Sequence, residues 1–209
     1  MTKLNSHKLI TAALVLASTC WVNGCSPLAP RPDKSRYFVL SSSAVGAAHA
    51  TTTRKPPFTV GLEPVTVPHY LDRPEILTRV NQSELSASDT DRWGEPLKAG
   101  AGRVLAEDLS ANLGNAEVVP FPWSKKTQID YTVSVEFLNL EKTADGRATT
   151  KATWIIRRGS DGYLVERGTT VAESSAGADQ TAASAALSQG IAQVASAIAQ
   201  SLETHQTAS

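Results

Sequence analysis

Apolar and polar residues alternate over residues 129–137 more clearly than elsewhere in the chain. The apolar members are Ile129, Tyr131, Val133, Val135 and Phe137, and the polar members between them are Asp130, Thr132, Ser134 and Glu136. Successive side chains of a strand point to opposite faces of the sheet. The alternation therefore predicts a strand with one buried face and one solvated face.

Two Asp-Gly pairs follow this segment and divide the chain after it. Asp145-Gly146 precedes "ATTKATWIIRR", and Asp161-Gly162 precedes "LVERGTTVAES". Asp-Gly is preferred in two-residue hairpin turns in which both central residues take a positive φ. The pattern predicts a meander of three long antiparallel strands joined by two tight turns.

In two other segments apolar residues recur every three or four positions. This is the spacing of an amphipathic helix. The first segment runs from Glu95 to Leu113, with Pro96 in its first turn and Gly114 as its stop. The second covers residues 181–203, and its apolar stripe consists of Leu187, Ile191, Val194, Ile198 and Leu202. We expect each stripe to cover part of a sheet.

Shorter strands are predicted from segments rich in branched and aromatic residues. They are "RYFVL" at 36–40, "FTVGLEPVTVP" at 58–68, "EILTRV" and "ELSAS" as a hairpin around residues 81–83, and "AEVVPFP" after the first helix. The second of them must end at Pro64 or Pro68. The order of elements predicts an α/β (α+β) fold, a mixed β-sheet with a long antiparallel meander and two amphipathic helices packed on it.

The outer face of the second helix is made of Ala, Ser and Gln and carries little charge. The simplest interpretation is a helix that covers one sheet face and turns its polar side to water. A sharper hypothesis is that this small, nearly uncharged face packs against another subunit. The two interpretations are compatible, and we expect a homo-oligomer.

A short positive segment and an apolar run occupy the start of the chain. Lys3, His7 and Lys8 precede an apolar run over residues 9–22, and the first acidic residue is Asp33. This pattern is typical of a secretory signal peptide, so we expect the protein to be exported. A transmembrane helix is the second interpretation. It is less favoured, because spanning a bilayer takes about 20 predominantly apolar residues and this run is shorter.

The sequence "VNGC", residues 22–25, resembles the lipobox of bacterial lipoproteins, in which the cysteine sulfur receives a diacylglyceryl group. Val22 three positions before Cys25 and Gly24 directly before it carry the resemblance. "ASTC" around Cys20 fits less well, so Cys25 is the predicted lipidation site. Cleavage before Cys25 would remove Cys20 and exclude a disulfide. The alternative, an ordinary secretory signal, would leave an unpaired exported thiol.

The expected division of the chain is a lipoprotein signal peptide at 1–24, the lipidated Cys25 with a periplasmic tether to residue 35, and a single domain at 36–209. The tether "SPLAPRPDKS" contains three prolines, and at ~3.1 Å per residue it would reach about 30 Å. Ser26 stands where lipoproteins kept in the inner membrane often carry Asp. The resemblance therefore implies anchoring in the outer membrane, facing the periplasm.

Charge and motifs exclude several classes of function. The chain has 20 Lys and Arg and 20 Asp and Glu, and removal of 1–24 takes away Lys3 and Lys8, which leaves 18 − 20 = −2. Neither a nucleic-acid-binding protein nor a polybasic membrane binder has this balance. The sequence contains no nucleophile elbow, phosphate-binding loop or H-E-x-x-H motif. A Ser-His-Asp or Cys-His hydrolase would have to use His69 as its base, because His69 is the only histidine in a region with a strand pattern. We expect no enzyme, no cofactor and no metal site.

The densest cluster of functional side chains is "VPHYLDRPEILTR" at residues 67–79, where two prolines restrict the backbone. The structural interpretation is a rigid crossover between strands whose charges are solvated or paired internally. The functional interpretation is a partner-binding surface presented by Tyr70, Asp72, Arg73 and Arg79. From the residues alone the structural interpretation is favoured.

Several segments together resemble the PqiC/YmbA-type auxiliary lipoproteins, also called ABC-type transport auxiliary lipoproteins. They are "GCS", "RYFVL", "VGLEPVTVPHYLDRPEILTRV", "DRWGEPLKAGAGRVLAEDLSANLG" and the closing meander and helix, in that order. The patterns P-x-Y-L-D-R-P-x-I-x-T-R and R-W-x-E-P-L carry the resemblance most specifically, and it spans nearly the whole exported chain.

This resemblance implies a non-enzymatic subunit of a trans-envelope lipid transport system. Its expected partner is an MCE-domain (PqiB-like) transporter, which an outer-membrane lipoprotein would dock to support envelope integrity. The alternative is a membrane-anchored periplasmic carrier that holds a phospholipid between the sheet and the C-terminal helix. A carrier needs an apolar cavity and should co-purify with phospholipid, whereas a docking subunit should co-purify with the transporter.

We predict that Cys25→Ser gives a soluble periplasmic protein that folds but does not complement a strain lacking the native chain, because the acyl anchor is lost. Fractionation of the envelope followed by immunoblotting measures this, with a Cys20→Ser variant as the control that stays membrane-bound. Recovery of Cys25→Ser in the outer-membrane fraction would contradict the assignment of the anchor.

Overall fold

The strand predicted at residues 129–137 is the longest of the sheet, and the other elements are arranged about it. In the computed structural model, which describes residues 32–43, 58–114, 116–177 and 179–207, it spans Tyr131–Thr143. In chain order the strands of this part of the chain are β1 Arg36–Phe38, β2 Thr59–Leu62, β3 Glu75–Arg79, β4 Leu85–Trp93, β5 Glu117–Pro120, β6 Tyr131–Thr143, β7 Arg147–Arg158 and β8 Leu164–Ser175. The helices are α1 Leu97–Leu113 and α2 Gln180–Thr207, and a 3-10 turn covers His69–Leu71. The predicted mixed sheet with two helices is confirmed.

One side of β6 pairs with β7 along nearly its whole length, whereas its other side is shared by two short strands. Parallel β2 pairs near the start of β6, at Leu62 and Val133, and parallel β3 pairs near its end, at Thr78 and Lys142. The segment predicted as one strand at 58–68 therefore ends as a strand at Leu62. Beyond Pro64 it returns to β6 at a single isolated bridge.

The predicted meander β6–β7–β8 is antiparallel throughout the described pairs. Its turns differ from the prediction, because in each Asp-Gly pair only the glycine takes a positive φ, Gly146 at 81° and Gly162 at 71°, and the aspartate does not. The amide of Gly146 donates to the carbonyl of Thr143 at 3.0 Å. A single left-handed glycine after a tight turn is the signature of a longer hairpin loop than the two-residue type.

The predicted β3–β4 hairpin is confirmed, but β4 continues to Trp93, past the predicted end of "ELSAS". The reason is a neighbour that lies far away in sequence. Strand β1 pairs in parallel with the last part of β4, with Phe38 opposite Trp93. The amide of Gly94 donates to the carbonyl of Phe38 at 2.8 Å and extends this pairing.

Both helices contribute to the buried core that lies against the sheet, and α1 packs against α2 and β5 while α2 packs against β6, β7 and β8. The predicted stripe of α2 is buried, and none of its five members, Leu187, Ile191, Val194, Ile198 and Leu202, is more than 1% exposed. Alternate residues of β7, among them Ala148, Ala152 and Ile156, are buried in the same core. Helix α2 is the one described helix with the length and apolar composition of a membrane span, and 61% of its most apolar window is buried in this domain.

Helix α2 approaches β7 most closely at Gly190. A Cβ atom at Gly190 would lie 2.2 Å from Thr150 Oγ1 and 2.6 Å from Thr150 Cβ, whereas a Cβ at Gly102 of α1 would lie 3.5 Å from Val65 Cγ2. Real Cβ contacts are not as short as the first two distances. The helix can lie this close to the strand only because residue 190 has no side chain.

We therefore predict that Gly190→Ala lowers the free energy of unfolding by about 1–3 kcal/mol, the usual cost of overpacking a core. The matched control Gly102→Ala should raise it by about 0.5–1 kcal/mol, because alanine is the better helix former and has room. Thermal unfolding of the full chain in detergent micelles measures both. Stabilisation by both substitutions would contradict the close approach of α2 to β7.

Candidate docking surface

The segment that carries the predicted partner-binding residues lies between β2 and the end of β3, and Arg79 is the last residue of β3. Its 3-10 turn is closed by the amide of Leu71, which donates to the carbonyl of Pro68 at 2.9 Å, and by the amide of Asp72, which donates to His69 at 3.2 Å. Leu71 is only 3% exposed and anchors the turn in the core. The carbonyl of Pro74 accepts a hydrogen bond from the amide of Trp93 at 2.8 Å and fixes the far end of the segment.

Tyr70 and Arg79 meet in a cluster with a buried carboxylate. The Nε of Arg79 donates to Glu141, whose side chain is 1% exposed, and Arg79 Nη2 donates to the hydroxyl of Tyr70 at 3.1 Å. The guanidinium carbon also lies 5.6 Å from the centre of the Tyr70 ring. Asn139 Nδ2 donates to the same carboxylate at 3.2 Å. This cluster joins the segment to β6.

The pKa values of the cluster follow from these contacts. Burial, and then the negative charge of Glu141, raise the pKa of Tyr70. The hydrogen bond to Glu141 raises the pKa of Arg79 above its already high ordinary value. Both residues therefore keep their protons over the whole physiological range, and the cluster contains one cation, one buried anion and a neutral phenol.

Arg73 and Asp72 belong to two further ion pairs. Arg73 Nε lies 2.9 Å from Glu75 Oε2, and Arg92 Nη1 lies 2.9 Å from Glu75 Oε1, so one carboxylate joins two arginines. The hydrogen bond from Arg73, a backbone hydrogen bond and the hydrogen bond from Arg92 lower the pKa of Glu75 to about 2. Asp72 Oδ2 accepts from Lys98 Nζ of α1 at 3.1 Å. The four predicted residues thus occupy one segment but have three separate sets of partners.

An apolar groove that the sequence analysis did not identify adjoins this segment. It encloses about 540 Å³ between the outer side of α1 and the ends of β2 and β5. Its apolar walls include Leu62, Pro64, Ala99, Gly102, Ala106 and Phe121. Phe121 is 55% exposed and adds its ring to the apolar surface of the groove. The sequence signal that could have predicted this groove is the recurrence of small residues at helical spacing on the polar side of α1.

The cations at the rim of the groove are paired with acids of the same chain. Lys98 pairs with Asp72, and Arg103 lies 2.7 Å from Glu95 and 3.4 Å from Glu107. Arg103 also donates to the carbonyl of Leu40 at 2.9 Å. Because these cations are held by neighbouring acids, the groove favours an uncharged, apolar occupant.

The described residues contain no arrangement that supports hydrolytic chemistry. His69 is exposed at the start of the 3-10 turn. On β8 and α2, Glu166 accepts hydrogen bonds from Ser201 and lies 3.0 Å from His205 Nε2. The Glu166 carboxylate lies between the serine and the histidine. Nucleophilic catalysis instead needs the histidine to accept a hydrogen bond from the serine hydroxyl.

Within the described ranges no group of three or more His, Cys, Asp or Glu residues could hold a metal ion. Cys25 and the predicted signal peptide lie outside these ranges, as do residues 44–57.

Comparison with known proteins gives one family match. The family model described as the ABC-type transport auxiliary lipoprotein component matches residues 38–199. No match was found among curated proteins. The fold is similar to the crystal structure of an uncharacterized protein, at a TM-score of 0.66 and 20% identity over 80% of this chain and 98% of the other. It is also similar to protein XCC0632 from Xanthomonas campestris, at a TM-score of 0.64 and 16% identity over 79% of this chain and 93% of the other.

We predict that Arg79→Ala lowers the free energy of unfolding by about 2–3 kcal/mol, because it leaves the Glu141 carboxylate buried without its cation. Arg73→Ala is the matched control and should change stability by less than about 1 kcal/mol, since its pair with Glu75 is largely solvated and Arg92 remains. Urea unfolding measures both. A double variant Arg79→Ala with Glu141→Leu should recover most of the loss; equal losses for the two single variants would contradict this distinction.

A second prediction concerns acid. The pKa of Glu75 is depressed, so the stability from its ion pairs is complete above its ordinary pKa of 4.5 and is lost as the pH falls toward about 2. Carbon NMR of the side-chain carboxyl should show titration near pH 2, and Arg73→Ala should move the midpoint upward. A midpoint near 4.5 in the unaltered chain would be inconsistent with the paired geometry.

Proposed function

Because the chain belongs to the ABC-type transport auxiliary lipoprotein family, we propose that it is a non-enzymatic outer-membrane subunit of a trans-envelope lipid transport system. In this proposal Cys25 carries the acyl anchor and the folded body docks an MCE-domain transporter at the outer membrane. The docking supports the integrity of the envelope. Association with a transport system follows from membership of the family. The identity of the partner and the choice of the outer membrane are our proposal.

The observation that carries the docking role is the surface formed by the groove along α1 and the segment beside it. The Asp72–Lys98 ion pair, at 3.1 Å, links the two. The segment is held rigidly by its turn and its buried pair, so it can bind without an ordering cost. The groove offers exposed apolar area at Phe121, and the cations around it are paired with acids. We propose that an apolar, uncharged segment of the transporter occupies it.

The carrier hypothesis placed a lipid between the sheet and the C-terminal helix. The stripe of α2 is fully buried there and Gly190 lies against Thr150. Protein atoms therefore fill the contact between the sheet and this helix, in which the lipid was expected. The groove along α1, at about 540 Å³, is within the ~300–1,000 Å³ range of small-molecule sites. A lipid would therefore bind in the same groove that we assign to the transporter, which makes one experiment decide between them.

The homo-oligomer expected from the sequence remains part of the proposal. The exposed side of α2 includes Gln189, Gln193 and Gln200 and has no charged residue between Gln180 and Leu202. Such a face can approach a second copy without burying a charge, which is the usual obstacle to association of helices through polar surfaces.

We predict that a photo-crosslinking p-benzoylphenylalanine at Phe121 captures an MCE-domain protein in the native envelope. The control is the same substitution at Val171 on β8, because the two residues are almost equally exposed, at 55% and 56%. Mass spectrometry of the crosslinked species identifies the captured molecule.

An MCE-domain protein captured from position 121 but not from 171 supports the docking role. Capture of phospholipid from position 121 would replace it with the carrier role. Capture of a second copy of this chain from position 121 would assign the groove to the homo-oligomer and overturn its docking role.

A further inference from the structure

A second groove, remote in sequence from the first, lies between β1 and the first two turns of α2. It encloses about 560 Å³. Its walls include Tyr37, Val39, Ser41, Ser184, Ala185 and Ser188, and every residue that lines it is uncharged. One wall is thus a strand with the residues after it, and the other wall is a helix that carries hydroxyl groups.

The strand wall presents backbone groups that pair with no described strand on one side. Among the described strands β1 pairs only with β4, so β1 is an edge of the sheet. The carbonyl of Phe38 accepts from Gly94 and therefore points to β4. Backbone groups of successive residues point to opposite sides of a strand, so the peptide groups of Tyr37, and of Val39 one step further, point away from β4. Their side chains are 64% and 52% exposed.

The helix wall contains a buried hydroxyl without a partner. Ser188 Oγ donates to the carbonyl of Ser184 at 2.8 Å and accepts from the amide of Ser41 at 3.1 Å. Ser184 itself is only 6% exposed, and its Oγ has no hydrogen-bond partner among the described residues. A buried polar group that makes no hydrogen bond destabilises the folded state. A bound backbone amide or carbonyl that reaches Ser184 would remove this cost.

Arg36 of β1 and Asp179 just before α2 already have partners. Arg36 pairs with Asp91 at 2.8 Å. Asp179 Oδ2 accepts from the amide of Ala182 at 3.2 Å, and this backbone hydrogen bond lowers the pKa of Asp179. The positive end of the α2 dipole therefore already has an anion. A phosphate or other anion would be repelled here, so the groove suits an uncharged occupant.

We propose that this groove binds an extended, uncharged peptide segment of another protein, which adds to β1 as a strand. Backbone hydrogen bonds to Tyr37 and Val39 supply the pairing, and the hydroxyl of Ser184 bonds the opposite edge of the peptide. Addition of a strand to a sheet edge is a general mode of peptide recognition in which alternate side chains fill the flanking groove. This site is separate from the transporter-docking surface and does not depend on it.

The probe is a fluorescein-labelled octapeptide of alternating Thr and Val with blocked ends, titrated with the full chain in detergent micelles and followed by fluorescence anisotropy. The matched peptide has the same side chains but N-methylated amides at every second position, so one edge has no donors. We expect it to bind at least ~10-fold more weakly, equivalent to about 1.4 kcal/mol. Hydrogen exchange should slow at Tyr37 and Val39 only with the first peptide.

Substitutions in the helix wall separate binding from folding. Ala185→Lys places a charge in the groove at an exposed helix position, and we expect at least ~10-fold weaker binding with an unchanged melting temperature. Ala182→Lys is the matched control, because Ala182 is also exposed on α2 but does not line the groove. Ser184→Ala should weaken binding severalfold without destabilising the fold, since the hydroxyl has no partner to lose.

Each alternative occupant has a distinct result that would overturn the proposal. Equal binding of the two peptides, or no binding of either, would exclude strand addition. Binding only after residues 44–57 are replaced by a short Gly-Ser link would assign the groove to the chain itself. Sedimentation that changes with Ala185→Lys but not with Ala182→Lys, in the absence of peptide, would assign it to a second copy.

Discussion

The sheet depends on the unequal lengths of strands that pair with β6. Tyr131–Thr143 is matched by β7 on one side, but β2 and β3 each cover only part of its other side. The chain between them must therefore leave the sheet and rejoin it further along. Residues 63–74 make this passage, and Pro64, Pro68 and Pro74 restrict its backbone. The segment with the candidate docking residues exists because two short strands share one long neighbour.

Ion pairs within the chain hold the cations of the proposed docking surface. Arg79 is held by Glu141, Lys98 by Asp72, and Arg103 by Glu95, Glu107 and a backbone carbonyl. Association through such surfaces relies on apolar area and backbone groups rather than on long-range attraction. A protein held close to its partners by a lipid anchor has little need of electrostatic steering, because the anchor itself raises the local concentration.

The elements set by local periodicity were predictable, and the contacts between distant segments were not. The alternation at 129–137 and the stripe from Leu187 to Leu202 gave β6 and α2 because burial of one face determines those patterns. The end of β4 at Trp93 was missed because β1, far away in sequence, extends it. Pairing of Arg79 with Glu141, 62 residues apart, likewise has no local signal. The groove along α1 forms only when that helix is placed against residues 62–65 and 120–121.

The parallel pairing of β1 with β4 has a mechanical consequence. If the chain before Arg36 is tied to a membrane, tension on it acts along the axis of β1. The residue pairs Arg36–Asp91, Tyr37–Arg92 and Phe38–Trp93 then carry the load together, in shear, instead of opening one after another. A strand of three residues that is loaded in shear resists a greater force than one whose residue pairs open in sequence.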